Sequence, residues 1–233
     1  MSLLFDFVFH ADGEEMERTI EEENLIDTVL FDFGGVLAEE GFRNGLMAIA
    51  RLNGLDEDEF FRAARDAIHT CGYVIGKATE SVYWELLRKT TGIRGDDQSL
   101  RNEILSRFTL REWMIDLVKR IKDIRIRVGI LSDQTNWLDE LNARYNFFQR
   151  FDYVFNSYHM GKGKKDTSHF DDVVKILNTP AYMVLFIDDD PRNCERAGQK
   201  GLKVIHYRTR NQFLEEIVKY YPVDIEDLFS TLK

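Results

Sequence analysis

Apolar residues along this chain fall into two patterns, short continuous runs bounded by turn residues and longer stripes at helical spacing. The runs at 26–32, 124–131, 153–155, 183–187 and 203–207 predict buried strands. Between them lie helical stripes, one formed by Trp113, Leu117, Val118 and Ile121 and another by Val173, Val174 and Leu177. Strands alternating with helices predict an α/β fold, a Rossmann-like parallel sheet covered on both faces. Ligands of such sheets bind beyond the carboxyl ends of the strands, so the polar residues that follow each run are the first candidates for chemistry.

Residues 38–109 interrupt the alternation. They carry helix-period stripes and no strand pattern: Phe60, Phe61, Ala64 and Ile68; Val82, Tyr83, Leu86 and Leu87; Leu100, Ile104, Leu105 and Phe108. Asp56 and Thr79 are expected to cap helices, Asp56 with Glu59 as a capping-box pair. The expected organisation is therefore an N-terminal extension at 1–24, a core built from 25–37 and 110–221, a helical domain inserted at 38–109, and a tail at 222–233. No internal repeat or low-complexity segment is evident.

Four of the predicted strands end in chemically loaded residues. The first gives Asp32 before the turn glycines Gly34 and Gly35, and the second gives Ser132 and Asp133. The third leads to Lys162-Gly163-Lys164-Lys165, and the fourth to Asp188-Asp189-Asp190. Acids converging on one crevice can hold a hard cation such as Mg²⁺ through oxygen. Ser132, Lys164 and the amides of a glycine turn can bind phosphate oxygens. A carboxylate such as Asp32 can attack phosphorus in line, with cations neutralising charge on the transferring group.

In order and spacing these residues resemble the four motifs of the haloacid dehalogenase (HAD) superfamily. The resemblance covers residues 25 to about 207 and is carried by LFDFGGVL, GILSDQTN, FDYVFNSYHMGKGKKD and LFIDDDPRNCERAGQKGLKVIHY. The insertion, with GKATESVYWELL, is similar to the helical C1 cap of subfamily I. The resemblance implies that Asp32 is nucleophile and metal ligand and that Gly34 offers its carbonyl to the metal. It implies that Gly35, Ser132 and Lys164 bind the phosphoryl group. Asp189 is then a direct metal ligand and Asp188 orients it. Two positions depart from the pattern: Gly34 stands where phosphatases of the family carry a second Asp as general acid, and Lys165 stands where a proline is usual.

Structural alternatives exist for most of these residues. Ser132 can serve as a turn or cap before a helix expected at 136–144, and Lys164 can be solvated beside Lys162 and Lys165. Asp190, before Pro191, is expected to cap the next helix. Asp6, in a similar Phe-Asp-Phe setting, lacks the glycine turn. Arg125 and Arg127 are expected at an exposed strand start, and His69 and Tyr73 in packing roles rather than facing a substrate. Glu39 and Glu40 are expected to be solvated, with either able to replace the missing acid.

Composition narrows the function further. The 233 residues carry a formal net charge of −10, which excludes a nucleic-acid partner that needs a basic stripe and disfavours an anionic membrane. Cys71 and Cys194 match no metal or redox spacing and fit a packing role in a reducing cytosol. The apolar segment at 3–9 is short, holds Asp6 and does not read as a signal peptide. The expectation is a cytoplasmic, Mg²⁺-dependent phosphohydrolase acting on a small phosphorylated metabolite. The alternatives are a catalytically weak protein that binds a phosphorylated ligand or a partner, motivated by Gly34, and a 2-haloacid dehalogenase. The resemblance implies no metal and a Tyr near the first motif for the latter.

Overall fold

The computed structural model describes residues 26–220. The expected extension at 1–24, with Asp6, and the tail at 222–233 lie outside the described residues. Five strands form the sheet: β1 Thr28–Phe31, β2 Arg127–Ser132, β3 Tyr153–Asn156, β4 Val184–Asp188 and β5 Lys203–His206. All pairings are parallel and the order is β3-β2-β1-β4-β5. The first strand is therefore central, with β2 and β4 on either side. Phe31 pairs with Ile130 and Ile187, which sets Asp32 level with Asp188 at the carboxyl edge.

Alternation along the strands divides the apolar side chains between two cores. Val29, Phe31, Val128, Ile130, Leu185 and Ile187 face one side. Leu30, Leu131, Val184 and Phe186 face the other, against Phe170, Val173 and Ala197. The first side is covered by α5 (Glu112–Asp123), α6 (Trp137–Tyr145) and α10 (Arg210–Ile217). The second is covered by α8 (Ser168–Leu177) and α9 (Pro191–Gln199). A sheet buried on both faces is why the strands read as continuous apolar runs rather than alternating ones.

Between β1 and β2 the chain forms α1 (Gly41–Asn53), α2 (Glu57–Thr70), α3 (Glu80–Thr91) and α4 (Asp97–Leu105). Asp56 caps α2 by accepting from the Glu59 amide at 2.8 Å, and Thr79 caps α3 by accepting from that of Val82 at 3.4 Å. Gly45 lets α1 approach α4 closely, since a β-carbon there would lie 2.5 Å from the Ile104 Cα. These helices are not a separate globule. Tyr73, in the turn after α2, packs edge-on against Trp137 at 5.7 Å between centroids, and Trp84 stacks on Trp137 at 6.0 Å. The two parts thus share one continuous core.

Two expectations need correction. The buried face of α3 is Tyr83, Trp84 and Leu87, whereas Val82 is 44% exposed. Trp84 belongs inside because the core of α6 lies beneath it. Arg125 sits in a left-handed turn at φ 67° outside β2, so the strand begins at Arg127. Arg127 is a half-buried hub rather than a solvated residue: it pairs with Asp27 and donates to the Tyr153 hydroxyl at 3.1 Å and the Leu177 carbonyl at 2.9 Å. The short α7 (Ser157–Met160) links β3 to the loop that carries Lys164. Among the described residues no helix is long and apolar enough to cross a membrane.

Candidate active site

The polar ends of β1, β2 and β4 and the loop after α7 meet around Asp32. Its Oδ1 accepts from the Ser132 hydroxyl at 2.6 Å and from the Phe33 amide at 2.7 Å. Its Oδ2 lies 2.9 Å from the Lys164 ammonium, which also donates to Asp188 Oδ2 at 2.6 Å. Asp32, Ser132, Lys164 and Asp188 are all buried. The lysine is itself aimed by Asp133, whose two carboxylate oxygens accept from the Lys164 amide at 2.9 and 3.1 Å.

Asp188 is fully engaged by protein groups. Besides Lys164, it accepts from the Asp190 amide at 2.7 Å and from the Asn193 side chain at 3.1 and 3.3 Å. Asp189 differs. Its carboxylate has no ion pair or side-chain hydrogen bond among the described residues, and it packs over Gly35. That glycine has φ 80°, and a β-carbon on it would collide with the Asp189 carboxylate. Only glycine combines this backbone with this approach. Arg111 donates to the Gly35 carbonyl and, at 3.1 Å, to that of Val36, so α5 holds the turn from behind.

Carboxylate oxygens of Asp32, Asp188 and Asp189 come within 4.8 Å of one another. Burial raises the Asp32 pKa, opposed by the Lys164 charge and helped by that of Asp189. Burial, opposed in part by Lys164, pushes Asp188 up to about 6; Asp189 also rises to about 6, through burial and then the charges of Asp188 and Glu40. Burial works against the Lys164 ammonium, but the charges of Asp188, Asp32 and Asp133 outweigh it and raise its pKa. Three crowded acids against one ammonium leave an excess of negative charge, which a hard cation with oxygen ligands relieves. The residues present therefore fit a divalent metal.

A cavity of about 300 Å³ opens over Asp32, with Ser132, Lys164 and Asp189 on its wall. The model of the haloacid dehalogenase-like hydrolases matches residues 26–199. The chain belongs to this family of hydrolases. No curated protein shows significant sequence similarity to it. Among solved structures, a predicted HAD-like family hydrolase from Porphyromonas gingivalis superposes with a TM-score of 0.69 at 20% identity, covering 84% of this chain and 97% of that one. A HAD family enzyme from Bacteroides thetaiotaomicron, solved with magnesium and inorganic phosphate, has a TM-score of 0.67 at 19% identity, covering 79% and 96%. L-2-haloacid dehalogenase from Xanthobacter autotrophicus, with chloropropionic acid covalently bound, has a TM-score of 0.60 at 18% identity, covering 88% of each chain. These likenesses show the HAD fold.

Of the residues expected in the HAD site, Asp32, Ser132, Lys164, Asp188 and Asp189 converge, and Gly34 and Gly35 form the turn beside them. Asp190 accepts from the Arg192 amide at 2.9 Å as the cap of α9. Cys194 is buried beneath the fourth strand end, and burial pushes its thiol up to about 12. Tyr73 is wholly buried and donates to Asn136 at 2.6 Å, whereas His69 lines the cavity. Glu39 faces outward, clamped by Arg111 at 2.9 and 3.0 Å. Contrary to a solvated role, Glu40 is largely buried and on the cavity wall; burial raises its pKa, and the Asp32 charge adds to this. The sequence placed Asp133 at the second strand end without giving it a role, and Asn193 and Arg111 were given none either. Asp133 follows Ser132 directly, and that adjacency was its only signal.

Proposed function

We propose that the protein is a magnesium-dependent phosphohydrolase that cleaves a small phosphate monoester through an aspartyl-phosphate on Asp32. The observation that carries this reading is the cluster of Asp32, Asp188 and Asp189, three carboxylates sharing the single ammonium of Lys164. Dehalogenation needs no cation and gives no reason for that crowding. The Bacteroides enzyme crystallised with magnesium and phosphate supports the same reading by analogy of fold.

In this reading Asp32, the Gly34 carbonyl and Asp189 hold Mg²⁺, which supplies charge neutralisation at the transferring group. Ser132, Lys164 and the Gly35 turn bind the phosphoryl oxygens. One carboxylate oxygen of Asp32 attacks phosphorus, the bond to the ester oxygen breaks, and water then hydrolyses the aspartyl-phosphate. Asp188 keeps Lys164 and the Asp189 loop in place. Glu40 supplies the proton to the departing oxygen. Its Oε1 accepts from the Arg43 amide at 3.0 Å, which leaves Oε2 to carry the proton. The helices between β1 and β2 act as a C1-type cap over the cavity, and the carboxyl edge of the sheet as the catalytic core.

Turnover of p-nitrophenyl phosphate with and without Mg²⁺ tests the proposal. Metal-dependent release of phosphate is expected. Release of halide from a 2-haloacid in the presence of a chelator, with no phosphatase activity, would replace it.

A further inference from the structure

Two further cations line the cavity over Asp32. Arg65, on α2, and Lys165, in the loop after Lys164, lie on the same wall system as Asp32 and Ser132. Neither forms an ion pair or hydrogen bond with another described residue; Arg65 only rests its guanidinium 5.7 Å from the Phe61 ring centroid. The other cations here are occupied. Arg192 is paired with Asp190 at 2.6 Å, and Arg196 donates to Asn193 at 3.0 Å. Arg65 and Lys165 repel each other: partial desolvation and then the Arg65 charge hold the Lys165 pKa below its usual value, while Asp133 and Asp66 only partly oppose this. Two cations without a direct ion pair, facing one cavity alongside Asp66 and Asp133, stand out in a chain of net charge −10.

The space beyond them is also formed. A second cavity of about 460 Å³ shares His69, Asp133 and Lys165 with the first and continues past Lys165. Both cations line the cavity that holds Asp32, Ser132 and Lys164, so a substrate bound there meets them. We propose that Arg65 and Lys165 form a subsite for a second anionic group, a carboxylate or a second phosphate, on the leaving portion of the substrate. This rests on the phosphohydrolase reading and narrows its substrate class to doubly anionic phosphate esters. A planar guanidinium beside an ammonium suits either group, since both present several acceptor oxygens.

The test compares matched esters on the full chain with Mg²⁺. Glycerol 3-phosphate is the neutral reference, 3-phosphoglycerate adds a carboxylate, and propane-1,3-diol bisphosphate adds a phosphate. The native protein is expected to favour one or both charged esters by kcat/KM, mainly through KM, and which one identifies the anion. In Arg65→Ala and in Lys165→Ala that charged-to-neutral ratio should fall by about 10- to 100-fold, the worth of a charge-assisted hydrogen bond. Arg65→Lys should recover part of it. Lys165 is exposed and lies off α2, so its variant is independent of cap folding. Equal kcat/KM for charged and neutral esters in the native protein, or a ratio unmoved in both alanine variants, overturns the subsite. Should no ester turn over at all, p-nitrophenyl phosphate included, the phosphohydrolase reading has failed rather than the subsite. Calorimetric binding of 3-phosphoglycerate and glycerol 3-phosphate to the native protein and Arg65→Ala then decides it by the same ratio.

Discussion

Glu40 Oε2 lies 3.3 Å from the point that a β-carbon on Gly34 would occupy. The glutamate carboxyl thus reaches the region where an aspartate at position 34 would begin. Gln at position 40 keeps the acceptor for the Arg43 amide but has no proton to give. Glu40→Gln is expected to slow alkyl phosphates by about 10²–10⁴-fold while aryl phosphates, whose oxygens leave readily, change little. Gly34 is not in the left-handed region, so aspartate there is limited by crowding against Glu40 and Phe108 rather than by φ. Glu40→Gln leaves that crowding but removes the charge that would repel a second carboxylate, so Gly34→Asp should restore alkyl turnover in this background. Equal slowing of alkyl and aryl esters by Glu40→Gln, read from leaving-group plots, rules out the proton-donor role.

Asp32→Asn removes the attacking carboxylate and leaves the neighbours that hold position 32 in place. Loss of all measurable turnover is expected, with an unchanged circular dichroism spectrum. Lys164 keeps its ion pair with Asp188 in this variant. Substantial phosphatase activity in the folded variant removes the nucleophile assignment.

Chelation by EDTA should stop turnover, and excess Mg²⁺ should restore it. Ca²⁺ should bind and inhibit, because its larger and looser shell moves the nucleophile off the in-line position. Full activity in EDTA counts against the metal reading of the carboxylate cluster.

His169 is buried, and neither ring nitrogen has a hydrogen-bond partner among the described residues. Burial, with the Lys164 and Lys162 charges adding to it, lowers its pKa to about 4; Asp172 and Asp166 oppose. A folded pKa below the unfolded ~6.5 means that this histidine adds no pH-dependent penalty well above pH 6.5. Its penalty accumulates as pH falls from about 6.5 towards 4, because the unfolded state binds the proton first. The contribution is on the order of 3 kcal/mol, complete below the folded pKa. Urea midpoints across this range should fall with pH in the native protein and fall less in His169→Phe. Parallel pH profiles for the two proteins would show that other groups carry the acid sensitivity.

The apolar runs predicted the sheet because a strand buried on both faces must be apolar throughout, and the ends of the first, second and fourth runs placed acids and a hydroxyl at the carboxyl edge. Asp32, Ser132, Asp188 and Asp189 were legible for that reason, since their positions follow from strand ends, which are local features; Lys164, eight residues beyond the end of β3, was legible only from the spacing of its loop motif. The α3 face was not legible, since Val82 and Trp84 both fit a helix and only the aromatic surface of Trp137 decides which is covered.

The sequence by itself determined the fold class, the inserted helices and the convergence of the motif residues, because these depend on period and order along the chain. Tertiary structure alone decided which carboxylates are satisfied and which stand free. Asp188 and Asp189 are adjacent and identical in type, yet Lys164, Asn193 and the Asp190 amide occupy one and Gly35 underlies the other. It likewise separated Glu39, clamped by Arg111, from Glu40, turned towards Asp32. Such pairs differ by contacts with residues distant in sequence, so burial and the neighbouring charge, not residue type, set what each acid can do.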